Sequence, residues 1–263
     1  MSNTYNGLAL QRDSNIIELT AILEANGRGG AARDLRDLSW QISGMERQLA
    51  SATRELAAMR RELSELRELH GEPLHNTAQQ GIDTATRQIM KAKERLGAVK
   101  EWFVQGAKDA CAAVKEMGIG ALSGAASFLG VRRELEKLRE DSTESIARCD
   151  RSLARIENIS RNFHEVGTAT RNFGRSLAGK EQQDDTKPMG KLAKLASAPH
   201  LTLKKLHAGM IKGADAALGK LEKLEQAAKP SLLGSLQTMK ETATKEHGMA
   251  LSPGKTKSQE PSL

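Results

Sequence analysis

From Leu35 to Leu69 the apolar residues alternate at steps of three and four. Leu35, Leu38, Ile42, Met45, Leu49, Ala52, Leu56, Met59, Leu63 and Leu66 fill the a and d positions of five consecutive heptads. A repeat of 3.5 residues makes a narrower stripe than a globular helix carries and matches a left-handed coiled-coil seam. The spacing predicts one long helix that must bury this stripe against another helix. His70-Gly71-Glu72-Pro73 ends it, because glycine and proline break helical geometry.

The flanking pattern is helical throughout. A short helix is expected from about Asp13, with Asn15 and Glu18 at N-cap and N3 spacing. Ile16, Ile17, Leu19, Ile22 and Leu23 form its apolar side, and Asn26-Gly27 with Gly29-Gly30 stops it. So short a helix is marginal alone and is expected to fold back on Leu35, Leu38 and Trp40. A second long helix is predicted from Asn76 to Met117, where Ile82, Ile89, Leu96, Phe103 and Ala110 recur every seven residues beside a row of small ones. A third follows from Val131 to Leu177. The uncharged stretch between them, MGIGALSGAASFLGV, is shorter than the roughly 20 residues of a spanning helix. It reads as a packed inter-helix turn or short helix, with an interfacial membrane contact as the alternative and a ligand loop last.

The predicted fold class is all-α. Residues 13–178 form long coiled-coil helices, arranged as a hairpin or a three-helix antiparallel bundle with a short N-terminal helix. Residues 1–12 and 247–263 are expected to be disordered and 179–198 a linker. A separate Lys-rich amphipathic segment occupies 199–246, where Leu203, Leu206, Met210, Ala214, Ala217, Leu218, Leu221 and Leu224 outline a helix.

Charge decides between partners for the seam. Glu55 and Glu62 are g positions and Arg60 and Arg67 are e positions, so in a parallel pair each Glu meets the Arg five residues on in the other chain. That arrangement favours a homodimer over an intramolecular antiparallel bundle using the same stripe. Downstream, Lys187 to Lys229 contains nine Lys, no Arg and only three acids. Lys191, Lys194, Lys204, Lys205, Lys212, Lys220 and Lys223 are the candidate contacts for an anionic surface. The absence of Arg after Arg175 and of interleaved aromatics argues against sequence-specific nucleic acid. A membrane surface is the better fit.

Composition narrows the chemistry. With two Trp, one Tyr and four Phe, a compact sheet-containing core is not expected. His70 and His75 flank a Gly/Pro break and share no helical face, so metal binding is not expected. GADAALGK, residues 213–220, has one residue too many for a phosphate-binding Walker loop and Leu221 where Ser or Thr should hold the metal. Cys111 and Cys149 are too few for a disulfide framework. No cofactor is implied, no set of residues suggests catalysis, and the N-terminus does not read as a signal peptide.

The order EANG, QISGMERQLASATRELAAMRRELSEL, GALSGAASFLGVRRELEKLRE and SLARIENISRNFHEVG resembles a helical domain-of-unknown-function family carried on conjugative and other mobile elements of Gram-positive bacteria. The resemblance covers roughly residues 14–180. It implies a mobile-element accessory protein and assigns no site. The expected function is that of a non-enzymatic structural or adaptor protein, binding itself or another helical protein. The alternative is a peripheral membrane-surface or nucleic-acid binder acting through the Lys-rich helix. The expected location is the cytoplasm, with a membrane-peripheral option.

Overall fold

A computed structural model describes residues 10–66, 72–119, 128–177, 181 and 191–228, and every element among them is helical. A 3-10 turn, Leu10–Arg12, leads into α1 (Ser14–Ala25). Four long helices follow: α2 (Gly29–Leu66), α3 (Glu72–Met117), α4 (Leu129–Leu177) and α5 (Lys191–Ala228). Residues 120–127, with the expected inter-helix turn, Gly120 and Gly124, lie outside the described residues, as do the tail and residues 1–9.

Side-chain pairs fix the direction of each helix against its neighbours. On α2 and α3, Glu46 binds Lys100 and Arg60 binds Asp83, so numbers rise on one helix as they fall on the other. The same opposition holds for α3 and α4, where Lys91 binds Asp141 and Arg95 reaches Glu134. It holds for α4 and α5 through Arg132–Glu225, Arg139–Asp215 and Asp150–Lys204. On α5 and α2, Lys220 binds Asp34 and Asp37 while Thr202 donates to Glu55. Four helices of alternating direction therefore share one core, and α3 also meets α5 across it.

The Lys-rich segment is thus not a separate unit. It begins at Lys191, inside the expected linker, and packs against α2, α3 and α4. Ala193, Leu195, Ala196, Leu203, Leu206, Met210, Ala214, Ala217, Leu221 and Leu224 bury its inner face. Pro199 lies within the helix, although its ring removes one backbone donor. Opposite it stands Gly81, where a Cβ would sit 3.6 Å from the Ala196 carbonyl oxygen and 3.7 Å from the Pro199 ring. These are ordinary contact distances, so α3 meets α5 at the turn that carries the proline without needing a glycine there.

Close approach recurs between α2 and α5. A Cβ at Gly213 would lie 2.7 Å from Met45 Cγ, and one at Gly209 2.9 Å from Gln48 Cδ. Met45 of the seam and Gln48 beside it lie directly over the glycines of α5.

Several local expectations change: Gly29 and Gly30, expected to stop the first helix, instead open α2. The cap of α1 is Asp13, whose carboxylate accepts from the backbone N–H groups of Asn15 and Ile16, so Asn15 is already inside the helix. Leu10, expected in a disordered stretch, is buried. α1 packs on α2 and α3 through Ile16, Leu19 and Leu23, whereas Ile17 and Trp40 face outward, the latter under the Arg47 guanidinium at 4.8 Å.

Candidate interaction surfaces

The a/d stripe of α2 is consumed within the chain. Leu35, Leu38, Ile42, Met45, Leu49, Ala52, Leu56 and Leu63 are all buried, and Met59 packs against the same core half-buried. The Leu66 side chain and the whole of Arg67 lie outside the described residues. Of the flanking charges, Arg60 binds Asp83 of α3 at 2.9 Å and Glu55 accepts from Thr202 of α5 at 3.1 Å, while Glu62 is exposed. The stripe therefore meets α3 and α5 of its own chain, the intramolecular alternative to the homodimer seam.

The lysines of α5 fall into two groups. Lys204 binds Asp150 at 2.6 Å, and Lys220 binds both Asp34 and Asp37. Hydrogen bonds to Asp37, then Asp34, push the Lys220 ammonium above its ordinary pKa, holding it charged in the α2–α5 contact. Lys194, Lys205, Lys212 and Lys223 are exposed. Their spacing of eleven, seven and eleven residues returns each to nearly the same bearing, since whole turns of 3.6 residues come close to these intervals. They form one ridge about 44 Å long at 1.5 Å per residue, with Ala208, Ala216 and Gly219 between them and exposed Leu201 beside them. The side chain of Lys191 lies outside the description.

A surface that sequence periodicity missed runs between α2 and α3. α1 fills one end of it: Asn15 meets Cys111, Glu18 binds Lys115, and Glu24 binds Arg36. Beyond α1 the furrow is open. One stretch of about 720 Å³ is lined by Leu49, Ala50, Thr53, Ile89, Leu96 and Gly97, with Glu46 and Lys100 paired at its edge. A second stretch, sharing Thr53, Ile89 and Lys93, carries it on to Arg60 and Met90. Met90 is 58% exposed. The small row read from the sequence is not what forms it, since Ala85, Ala92 and Val99 are buried in the core and the furrow is lined on α3 by Ile89, Leu96, Gly97 and Ala98.

The interior holds one buried titratable group of note. His207 of α5 is 3% exposed, with Nδ1 3.2 Å from Ser142 Oγ of α4 and Nε2 without a hydrogen-bond partner. Burial, then the nearby Arg148 charge, lowers its pKa to about 4 against an opposing effect of Asp141. Arg148 Nε is likewise buried without a hydrogen-bond partner, whereas the buried Glu134 carboxylate is met by Arg95, Arg133 and Lys137. Burial also raises the Cys111 and Cys149 thiols, so both are held as neutral thiols. Among the described residues no group of three or more His, Cys, Asp or Glu could hold a metal ion, and no helix is long and apolar enough to cross a membrane.

A family model described as a family of unknown function (DUF6674) matches residues 12–260. No curated protein and no solved structure matches the chain.

Proposed function

The chain belongs to that family of unknown function, whose model takes in α1 and all four long helices, and on this premise we propose that it is a non-enzymatic helical adaptor. It acts as a closed antiparallel bundle, with its coiled-coil-like stripe spent on internal stability and its association carried by the outside. The observation that carries this reading is the α2–α3 furrow, with an apolar floor of Leu49, Ile89 and Leu96 and the exposed Met90 on its rim. Exposed apolar grooves of this kind are what amphipathic partner helices fill. α1 already shows the fit, since it lies in the same furrow one stretch further along. The accessory role on a mobile element is supported by the resemblance of residues 14–180.

The test is a photo-crosslinking amino acid at Met90, with a second placed at Thr143 on the exposed side of α4. The adaptor reading expects a discrete protein adduct from position 90 in cells and none from position 143. Absence of any adduct from position 90 contradicts it.

The ridge of Lys194, Lys205, Lys212 and Lys223 supports a second reading, in which the bundle lies on an anionic membrane along α5. A Lys near an anionic surface contributes about 1 kcal/mol, so four give a weak, salt-sensitive attachment. Reversing all four to Glu should abolish co-flotation with vesicles containing about 30% anionic lipid at low salt. Unchanged flotation would remove this reading.

A further inference from the structure

We infer that the face shared by α2 and α5 holds a single-stranded nucleic acid, its phosphates passing between an arginine row on α2 and the lysine ridge on α5. The inference goes beyond the adaptor reading, whose furrow opens on the other flank of α2, and gives the lysine ridge a different occupant from a membrane.

The arginine row is set by the same heptad as the buried stripe. Arg33, Trp40, Arg47, Arg54 and Arg61 recur every seven residues at the f position, opposite a and d, and all five are exposed. From Arg33 to Arg61 the row is about 42 Å long at 1.5 Å per residue. Gly44, Ala50, Ser51, Ala57 and Ala58 beside it are small and leave the guanidinium groups unshielded. Arg47 and Arg54 have no acid three or four residues away on the helix. Their described partners are instead the Trp40 ring, under Arg47, and the Ala50 carbonyl, to which Arg54 Nε donates at 3.3 Å.

α5 runs beside this row. Lys220 with Asp34 and Asp37, Gly213 with Met45, Gly209 with Gln48 and Thr202 with Glu55 fix the levels. Lys212 therefore stands between Trp40 and Arg47, and Lys205 between Arg47 and Arg54. Packed helix axes lie about 8–10 Å apart, so the two rows of cations flank one trough. Part of it is a depression of about 320 Å³ lined by Gln48, Ser51, Glu55, Thr202, Lys205 and Gly209. The acids along it are engaged. Glu55 accepts from Ser51 and Thr202, Asp34 and Asp37 hold Lys220, and Asp215 and Glu225 turn to Arg139 and Arg132 of α4. The exposed Glu62, Glu65 and Glu222 stand at its ends.

This chemistry selects the occupant. Binding in a bilayer interface takes an apolar face, and Trp40 and Leu201 are the large apolar side chains exposed here. A duplex is wound, so a straight row of this length meets its phosphates only where a strand crosses. A flexible single strand can follow the whole trough, with guanidinium forks and ammonium groups on its phosphates and Trp40 as a platform for a base. The lysine segment alone lacks Arg and aromatic residues for such a role, and α2 supplies both.

Fluorescence anisotropy with the full chain and a labelled oligothymidylate of about 20 nucleotides should show micromolar binding at low salt that weakens steeply as salt rises. Arg47→Gln with Arg54→Gln should weaken it about tenfold and flatten the slope of log affinity against log salt by about 1–2. Lys205→Gln with Lys212→Gln should do the same. Trp40→Ala should cost about tenfold, and Trp40→Phe much less. These side chains are exposed, so every variant should keep the wild-type melting temperature. Arg151→Gln with Arg155→Gln, at exposed positions of α4, removes the same charge elsewhere and should leave binding unchanged. The proposal is overturned by no binding at low salt, by binding that survives either α2 or α5 double substitution, or by an equal loss in the α4 variant. Tighter binding to a duplex of the same length, or capture by anionic vesicles but not by the oligomer, also overturns it. The adaptor reading is separate from all of these outcomes, since a crosslinker at Met90 reports on the other flank of α2.

Discussion

Single residues set how closely the helices approach, and their replacement has calculable effects. Gly130 lies at the start of α4, where a Cβ would be 2.3 Å from Trp102 Cε3. Ala in place of a helical Gly ordinarily gains about 1 kcal/mol. Here the rigid indole, stacked under Arg133 at 5.5 Å, has to move. Gly130→Ala is therefore expected to lower the melting temperature in calorimetry, and a rise would show that Trp102 moves freely. His207 gives a pH signature. Its folded pKa of about 4 lies below the unfolded 6.5, so between these values the unfolded chain binds the proton and the folded chain does not. Stability from this group is full above pH 6.5 and falls as pH drops toward 4, by about 3 kcal/mol in all. Burial lowers the pKa of His200 as well, adding in the same direction. Urea midpoints from pH 7 to 4 should fall, and His207→Gln should flatten much of that slope. The Glu46–Lys100 pair, with side chains 12% and 11% exposed, should behave as a buried ion pair does. Lys100→Ala is expected to destabilise by about 3 kcal/mol or more in urea titration, because it strands a buried carboxylate.

At the scale of elements, heptad spacing predicted the buried stripe of α2 from Leu35 to Leu63, because a periodic apolar row has no other way to leave water, but not the start of the helix, which lies six residues earlier at Gly29. Caps and ends were less legible. Asn15 and Asp13 are both good N-caps, and only the observed backbone decides that Asp13 does the capping. The linker was expected to reach residue 198, yet α5 starts at Lys191 and runs through Pro199, although an interior proline costs about 3 kcal/mol. The sequence alone does not show which helix meets that turn, which is α3 at Gly81. Charges misled in the same way: Glu55 and Arg60 suit a parallel partner, yet each has a partner on a different helix of its own chain. The Lys ridge shows the complement, since Lys204 and Lys220 belong to internal pairs and a count of lysines overstated what α5 presents outward.

For the whole molecule, the unforeseen fact is that α5 closes the stripe left open by α2, α3 and α4. Its large buried side chains include Leu195, Leu203, Leu206, Met210, Leu221 and Leu224. At about 2 kcal/mol for each, their burial supplies on the order of 10 kcal/mol, comparable to the whole net stability of a domain. Sequence reading found the amphipathic pattern of this segment but had no means of pairing it with a helix 150 residues earlier. Comparable stripes on several helices are interchangeable until side-chain pairs such as Lys220 with Asp34 and Asp37 choose among them. The most direct test compares urea unfolding, followed by circular dichroism, of the full chain with a chain ending at residue 190. Closure by α5 predicts a single transition for the full chain and, for the shortened one, either loss of the cooperative transition or self-association through the exposed stripe. A shortened chain that stays monomeric and unfolds at the midpoint of the full chain would contradict it.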